Sequence, residues 1–101
     1  MSKSIVIVSY RVQPDQVNKA IERIRSLVAT VLANEPDCGG IEVLQDSADP
    51  TRITLIENWP SKEIFVGPHM QQPHIQIFIG SAGEFLAGPP DISFWHPVGG
   101  A

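Results

Sequence analysis

At 101 residues, with 43% hydrophobic and 18% charged content, the chain is expected to form one domain (1–101) around one core, not a disordered segment. A net charge of −4 and seven scattered cations exclude a phosphate-tracking surface, so no nucleic acid partner is expected. The single cysteine, Cys38, excludes an internal disulfide, and no apolar run approaches the length of a bilayer span, so a cytoplasmic protein with no membrane partner is expected.

Residues 4 to 12 (SIVIVSYRV) are rich in β-branched side chains and bounded by Pro14, which predicts a strand. From Pro14 to about Ala33, Val17, Ala20, Ile21, Ile24, Leu27, Val28, Val31 and Leu32 recur at three-four spacing. That period predicts a long amphipathic helix, with Pro14 in its first turn and Pro36, Gly39 and Gly40 ending it. IEVLQD (41–46) and RITLIENW (52–59) flank a short polar loop containing Pro50, the pattern of a hairpin. SKEIFV (61–66) predicts a short helical turn stopped by Gly67-Pro68. A second helix is expected from Pro73 to Leu86, with Ile75, Phe78, Ile79 and Phe85 on its apolar side, and DISFWHPV (91–98) as a last strand.

Strand, helix, strand, strand, helix, strand implies an α+β fold: a ferredoxin-like βαββαβ antiparallel sheet with both helices on one face. Yet Ile5 to Val8 is continuously apolar, and Ile53, Leu55 and Ile56 put apolar groups on both sides of their strand. The face without helices then needs a cover, and a second copy of the same sheet is the economical one. A homodimer is expected.

No Gly-rich nucleotide loop, HExxH or paired-cysteine spacing is present. His69 and His74 are separated by Pro73 and do not share a helix face as a metal pair would, so no metal is expected. Glu57 is in phase with Ile53, Leu55 and Trp59, while Thr54, Ile56 and Asn58 face the other way. A carboxylate among such neighbours must be paired, hydrogen-bonded or protonated. It either caps amides or meets a cation such as Arg11, or it orients a histidine or touches a substrate. Trp59 suits a core, an interface or a pocket wall. His69 has the ordinary imidazole range that fits general-base work, and equally the polarity of a helix start. Tyr10 offers a hydroxyl to a substrate oxygen, and His96, alternating with Ile92, Phe94 and Val98, reads first as a partly buried histidine near the dimer seam and second as a group reaching the same cavity. Cys38, with no cation close in sequence, reads as an inert thiol.

Glu57-x-Trp59-x-Ser61, then His69, Pro73-His74 and Phe78, resembles the signature of the antibiotic biosynthesis monooxygenase (ABM) domain family. Glu35-Pro36-x-Cys38 and Asp49-Pro50-Thr51-Arg52 resemble its segments before the second strand and at the hairpin turn. The resemblance implies a dimeric α/β barrel and, in some members, oxidation of a small phenolic or quinol-type aromatic substrate by O2 with no cofactor. It implies His69 as base or anion stabiliser and Glu57 as the group orienting an imidazole or a substrate hydroxyl. Candidate substrate contacts are Trp59, Asn58, Phe78, Tyr10 and His74. Gly67-Pro68 adds about one residue between Trp59 and His69 relative to the family pattern, which bears on where His69 points. Haem-degrading relatives carry an iron-ligating histidine where this chain has Phe78 and Ile79, so haem is not expected. The family is catalytically mixed, and two alternatives stand beside the oxygenase: an isomerase-type acid/base enzyme on a small polar carbonyl compound, and a non-catalytic dimeric ligand-binding module, the latter favoured if side chains fill the pocket.

Overall fold

The computed structural model describes residues 3–100. β1 (Ser4–Arg11) pairs antiparallel with β3 (Arg52–Trp59) along its whole length and with β4 (Asp91–Trp95) on its other side. β2 (Gly40–Gln45) pairs with β3 as the hairpin partner, giving the strand order β2-β3-β1-β4. With the helices on one face, this is the ferredoxin-like arrangement expected from the element order. Val6, Val8 and Tyr10 of β1 and Ile53, Leu55, Glu57 and Trp59 of β3 are buried beneath the helices. Their neighbours Ile5, Ile7, Thr54, Ile56 and Asn58 lie half-buried on the other face, with Trp95 of β4 beside them.

Helix α1 (Val17–Asn34) begins three residues later than the Pro14 start suggested by periodicity. The Gln16 amide donates to the Gln13 carbonyl at 2.9 Å, so Pro14 occupies the second position of a tight turn and not the helix itself. Ala20, Ile24 and Val31 then bury the apolar stripe against the sheet. Pro36 decides where the helix stops. A residue before proline is pushed out of helical geometry, and Glu35 sits at φ −119°, ψ 91°, its amide still donating to the Val31 carbonyl at 2.8 Å. The same bend turns the Glu35 side chain inward, where it is only 6% exposed.

After β3 the chain makes a short α2 (Lys62–Val66), its first turn capped by Ser61, whose Oγ accepts from the Ile64 amide at 3.2 Å. Gly67 follows because nothing larger fits: a Cβ there would lie 2.8 Å from the Glu63 carbonyl oxygen. Pro68 opens a single 3-10 turn (His69–Gln71), and Pro73 takes the first position of α3 (Pro73–Ser81). α3 is shorter than the expected Pro73–Leu86 helix. Gly80 and Gly83 weaken it, Ser81 Oγ hydrogen-bonds the Ile77 and Phe78 carbonyls, and the chain tightens into a second 3-10 turn (Ala82–Glu84). β4 ends at Trp95, not Val98. Pro97 has no amide to donate, so the ladder stops and His96, expected to be partly buried, is left exposed beyond the strand.

Candidate active site

The helices do not fill the space above the sheet. A cavity of about 450 Å³ remains between them, floored by Val8, Tyr10, Leu55 and Glu57 and roofed by Val28, Val31, Ile75 and Phe78. Phe65, His69 and Met70 form one end of its wall. Phe65, Met70 and Phe78 therefore line the cavity and leave it open, which removes the condition that favoured a filled, non-catalytic module. Its lining is mostly apolar with a few polar groups, the usual character of a small-molecule site.

His69 is buried, 5% exposed, although the preceding Gly67-Pro68 lengthens its segment. Two rings hold it: Trp59 at 4.4 Å and Phe65 at 4.9 Å between centroids. Its Nδ1 lies 2.8 Å from Oε1 of Glu35. A carboxylate accepts, so Nδ1 carries the hydrogen and Nε2 is left as the nitrogen that can take a proton from the cavity. Nε2 has no protein partner among the described residues and is not fully buried, and the His69 side chain lines the cavity. Burial pulls the His69 pKa down; the Glu35 hydrogen bond and charge oppose that, and His74 adds to it. His69 is thus a neutral, oriented imidazole at neutral pH.

The other oxygen of Glu35, Oε2, lies 2.6 Å from Nε2 of His74, at the start of α3. Orientation of the imidazole, assigned to Glu57 on the resemblance, thus belongs to Glu35. Sequence reading gave Glu35 no role, although Glu35-Pro36 was part of the matched segment. A glutamate ending an amphipathic helix one residue before proline was the available signal.

Among the described residues, Glu57 meets neither a cation nor backbone amides. Its Oε1 accepts from the Trp59 indole N–H at 2.9 Å. Desolvation raises its pKa to about 7, against the Trp59 hydrogen bond and with help from the negative charge of Glu35. Near neutrality Glu57 therefore exists in both forms, and the protonated one donates a hydrogen bond. Tyr10 also lines the cavity; burial, then the Glu57 charge, push its phenol well above the usual range, so it stays a neutral hydroxyl.

Of the expected site residues, the fold brings His69, Glu57, Tyr10 and Phe78 to one cavity. Trp59 sits behind it, backing the His69 ring and clamping Glu57. His74 lies behind Glu35, outside the lining. Asn58 is on the opposite face of β3, paired with Ile5 and Gly40, because strand alternation puts it out of phase with Glu57. His96 is not among the cavity's lining residues and lies in a surface hollow with Lys62 and Trp95. Burial pushes the Cys38 thiol up, in keeping with an inert group. Among the described residues, no group of three or more His, Cys, Asp or Glu side chains is arranged to hold a metal ion.

Solved structures share the whole fold. A Nitrosomonas europaea protein provisionally named for antibiotic biosynthesis matches with a TM-score of 0.85 at 21% identity, covering 95% of this chain and 90% of its own. A conserved protein from Methanosarcina mazei matches at 0.83 and 22%, covering 94% and 92%. A Mycobacterium tuberculosis protein matches at 0.83 and 20%, covering 99% of each. No curated protein is significantly similar in sequence. At such identities these likenesses speak for the fold alone. The sequence model of the antibiotic biosynthesis monooxygenase family matches residues 4–80, most of the chain and most of the elements that build the cavity wall. The chain belongs to the antibiotic biosynthesis monooxygenase family.

Proposed function

We propose that the protein is a cofactor-independent monooxygenase acting on a small phenolic or quinol-type aromatic substrate. The observation that carries this reading is the apolar cavity with an oriented, neutral imidazole in its wall: His69, tied by Nδ1 to Glu35 and open at Nε2. His69 removes the phenolic proton. The resulting phenolate, rich in electrons and held away from water, gives one electron to O2, and the radical pair recombines as a carbon–oxygen bond to form a peroxide. For a ring methylene tautomer of the phenol, loss of water from that peroxide leaves a carbonyl. One methylene group and one O2 thus become one carbonyl group and one water, with all four electrons supplied by the substrate. Protonated Glu57 and the Tyr10 hydroxyl donate to the substrate's oxygens, stabilising its anion in a site of low dielectric.

The test is oxygen uptake by purified protein with a panel of naphthols, anthrones and quinols, against the autoxidation blank. Uptake well above the blank, lost in His69→Ala, is expected; uptake that His69→Ala leaves intact would overturn the assignment. The pH profile should be bell-shaped. Its acid limb falls below the ordinary imidazole value because His69 is depressed, and its alkaline limb lies near 7 where Glu57 loses its proton. Glu57→Gln should abolish the alkaline limb alone.

The opposed shifts of Glu57 and His69 also support a second reading, isomerisation of a small polar carbonyl compound by an acid/base pair. Turnover without oxygen separates the two, since an isomerase needs none.

The working form in this reading is a homodimer. Ile5, Ile7, Ile56 and Trp95 present apolar surface on the sheet face that the helices leave uncovered, with Trp95 55% exposed. A second copy applied to that face closes two sheets into a barrel.

A further inference from the structure

Glu35 is a buried carboxylate that pairs with no lysine or arginine among the described residues. The cation pairs among the described residues are Arg11–Asp49, Lys19–Glu84 and Arg52–Asp46, all at the surface. Its compensation comes from two imidazoles, one on each oxygen: His69 at 2.8 Å and His74 at 2.6 Å. A buried anion needs such donors, and losing either leaves a desolvated oxygen unmatched. The two rings differ in what else they reach. His69 lines the cavity, whereas His74 does not, and its side chain is 16% exposed. The three groups therefore form a continuous chain from the cavity wall to the protein surface.

We propose that His74 is a positioning residue for the buried base: it holds the second oxygen of Glu35 and, through the charge on that shared carboxylate, sets from the protein surface how readily His69 takes a proton. With His74 neutral, the full charge of Glu35 supports an imidazolium at His69. With His74 protonated, that charge is divided and His69 becomes the weaker base. The direction agrees with the lowering influence of His74 on His69. The other titratable groups in this neighbourhood are Glu57 from β3 and Cys38 from the loop before β2, each of which senses the Glu35 charge. Neither is hydrogen-bonded to Glu35 or His69, and both stay the same in the comparison below.

The role of His69 as a base rests on the oxygenase reading, but the test does not. Imidazole ¹⁵N spectra of the uniformly labelled protein, without substrate, report the tautomer and titration of each ring. Neutral His69 is expected as the Nδ1–H tautomer. His74→Gln retains an N–H for Glu35 but cannot gain charge, and should move the His69 titration midpoint up. His74→Lys retains a donor and carries a fixed charge, and should move it down. Opposite displacements support the proposal. Displacements of the same sign, no displacement, or an Nε2–H tautomer at His69 would overturn it. Because a purely structural role of His74 shifts both variants alike, the sign decides. Absence of oxygen uptake on every substrate would count against the oxygenase reading while the spectra still decided this one.

Discussion

Glu57 is a carboxylic acid whose burial is compensated by one indole N–H. Its folded pKa, about 7, stands above the ordinary 4.5, so the folded state holds the proton more tightly than the unfolded one. Between those values stability falls as pH rises, and the contribution is fully present only below the unfolded pKa. Glu57→Gln, which retains an oxygen for Trp59, should match the parent near pH 4 in urea denaturation. At pH 8 it should exceed the parent by up to about 3 kcal/mol. Parallel pH profiles for the two proteins would refute the buried-acid assignment. Glu35 differs in that each of its oxygens is held by an imidazole. Glu35→Gln offers an amide in place of a carboxylate, which permits the wrong His69 tautomer, and should lower kcat/KM by about 10²-fold or more. The His69 and Glu57 positions were legible because strand phase and the family signature pointed to them. Glu35 was not, because its partners are 34 and 39 residues away and only the fold brings them within reach.

The connection between β3 and α3 is where local chemistry sets the site. Ser61 caps α2, Gly67 lets the chain pass the Glu63 carbonyl, and Pro68 starts the turn that delivers His69 between Trp59 and Phe65. Gly67→Ala places a methyl 2.8 Å from a backbone oxygen that cannot swing aside. We expect a loss of about 1–3 kcal/mol in denaturant midpoints, as for other overpacked sites. Oxygen uptake should fall with it as His69 is displaced; unchanged stability would mean that the turn relaxes without cost. Helix α1 and strands β1 to β3 were readable from periodicity, since 3.6 and 2.0 residue repeats are written in the order of apolar side chains. The end of α3 was not. Its apolar residues continue to Phe85, but glycines and a back-bonded serine close the helix at Ser81.

At the scale of the molecule, the open sheet face is the feature that asks for a partner. Ile7→Glu places a charge at the centre of the proposed barrel seam, opposite Ile56. Light scattering should then show a monomer where the parent is a dimer; a parent that is itself monomeric at micromolar concentration would overturn the barrel. Within one copy the cavity lies under the helices, on the opposite side of the sheet from that seam, so its base should keep its tautomer in the monomer. What the sequence by itself determined was the element order, the helix-covered and open faces, and the family, because alternation, helical spacing and the run from Glu57 to His74 are local patterns. Only the tertiary structure decided that a cavity survives above the sheet, that Asn58 and His96 lie away from it, and that Glu35 joins two histidines. Those outcomes depend on packing between elements distant in sequence, and no local repeat encodes the space that is left when they meet.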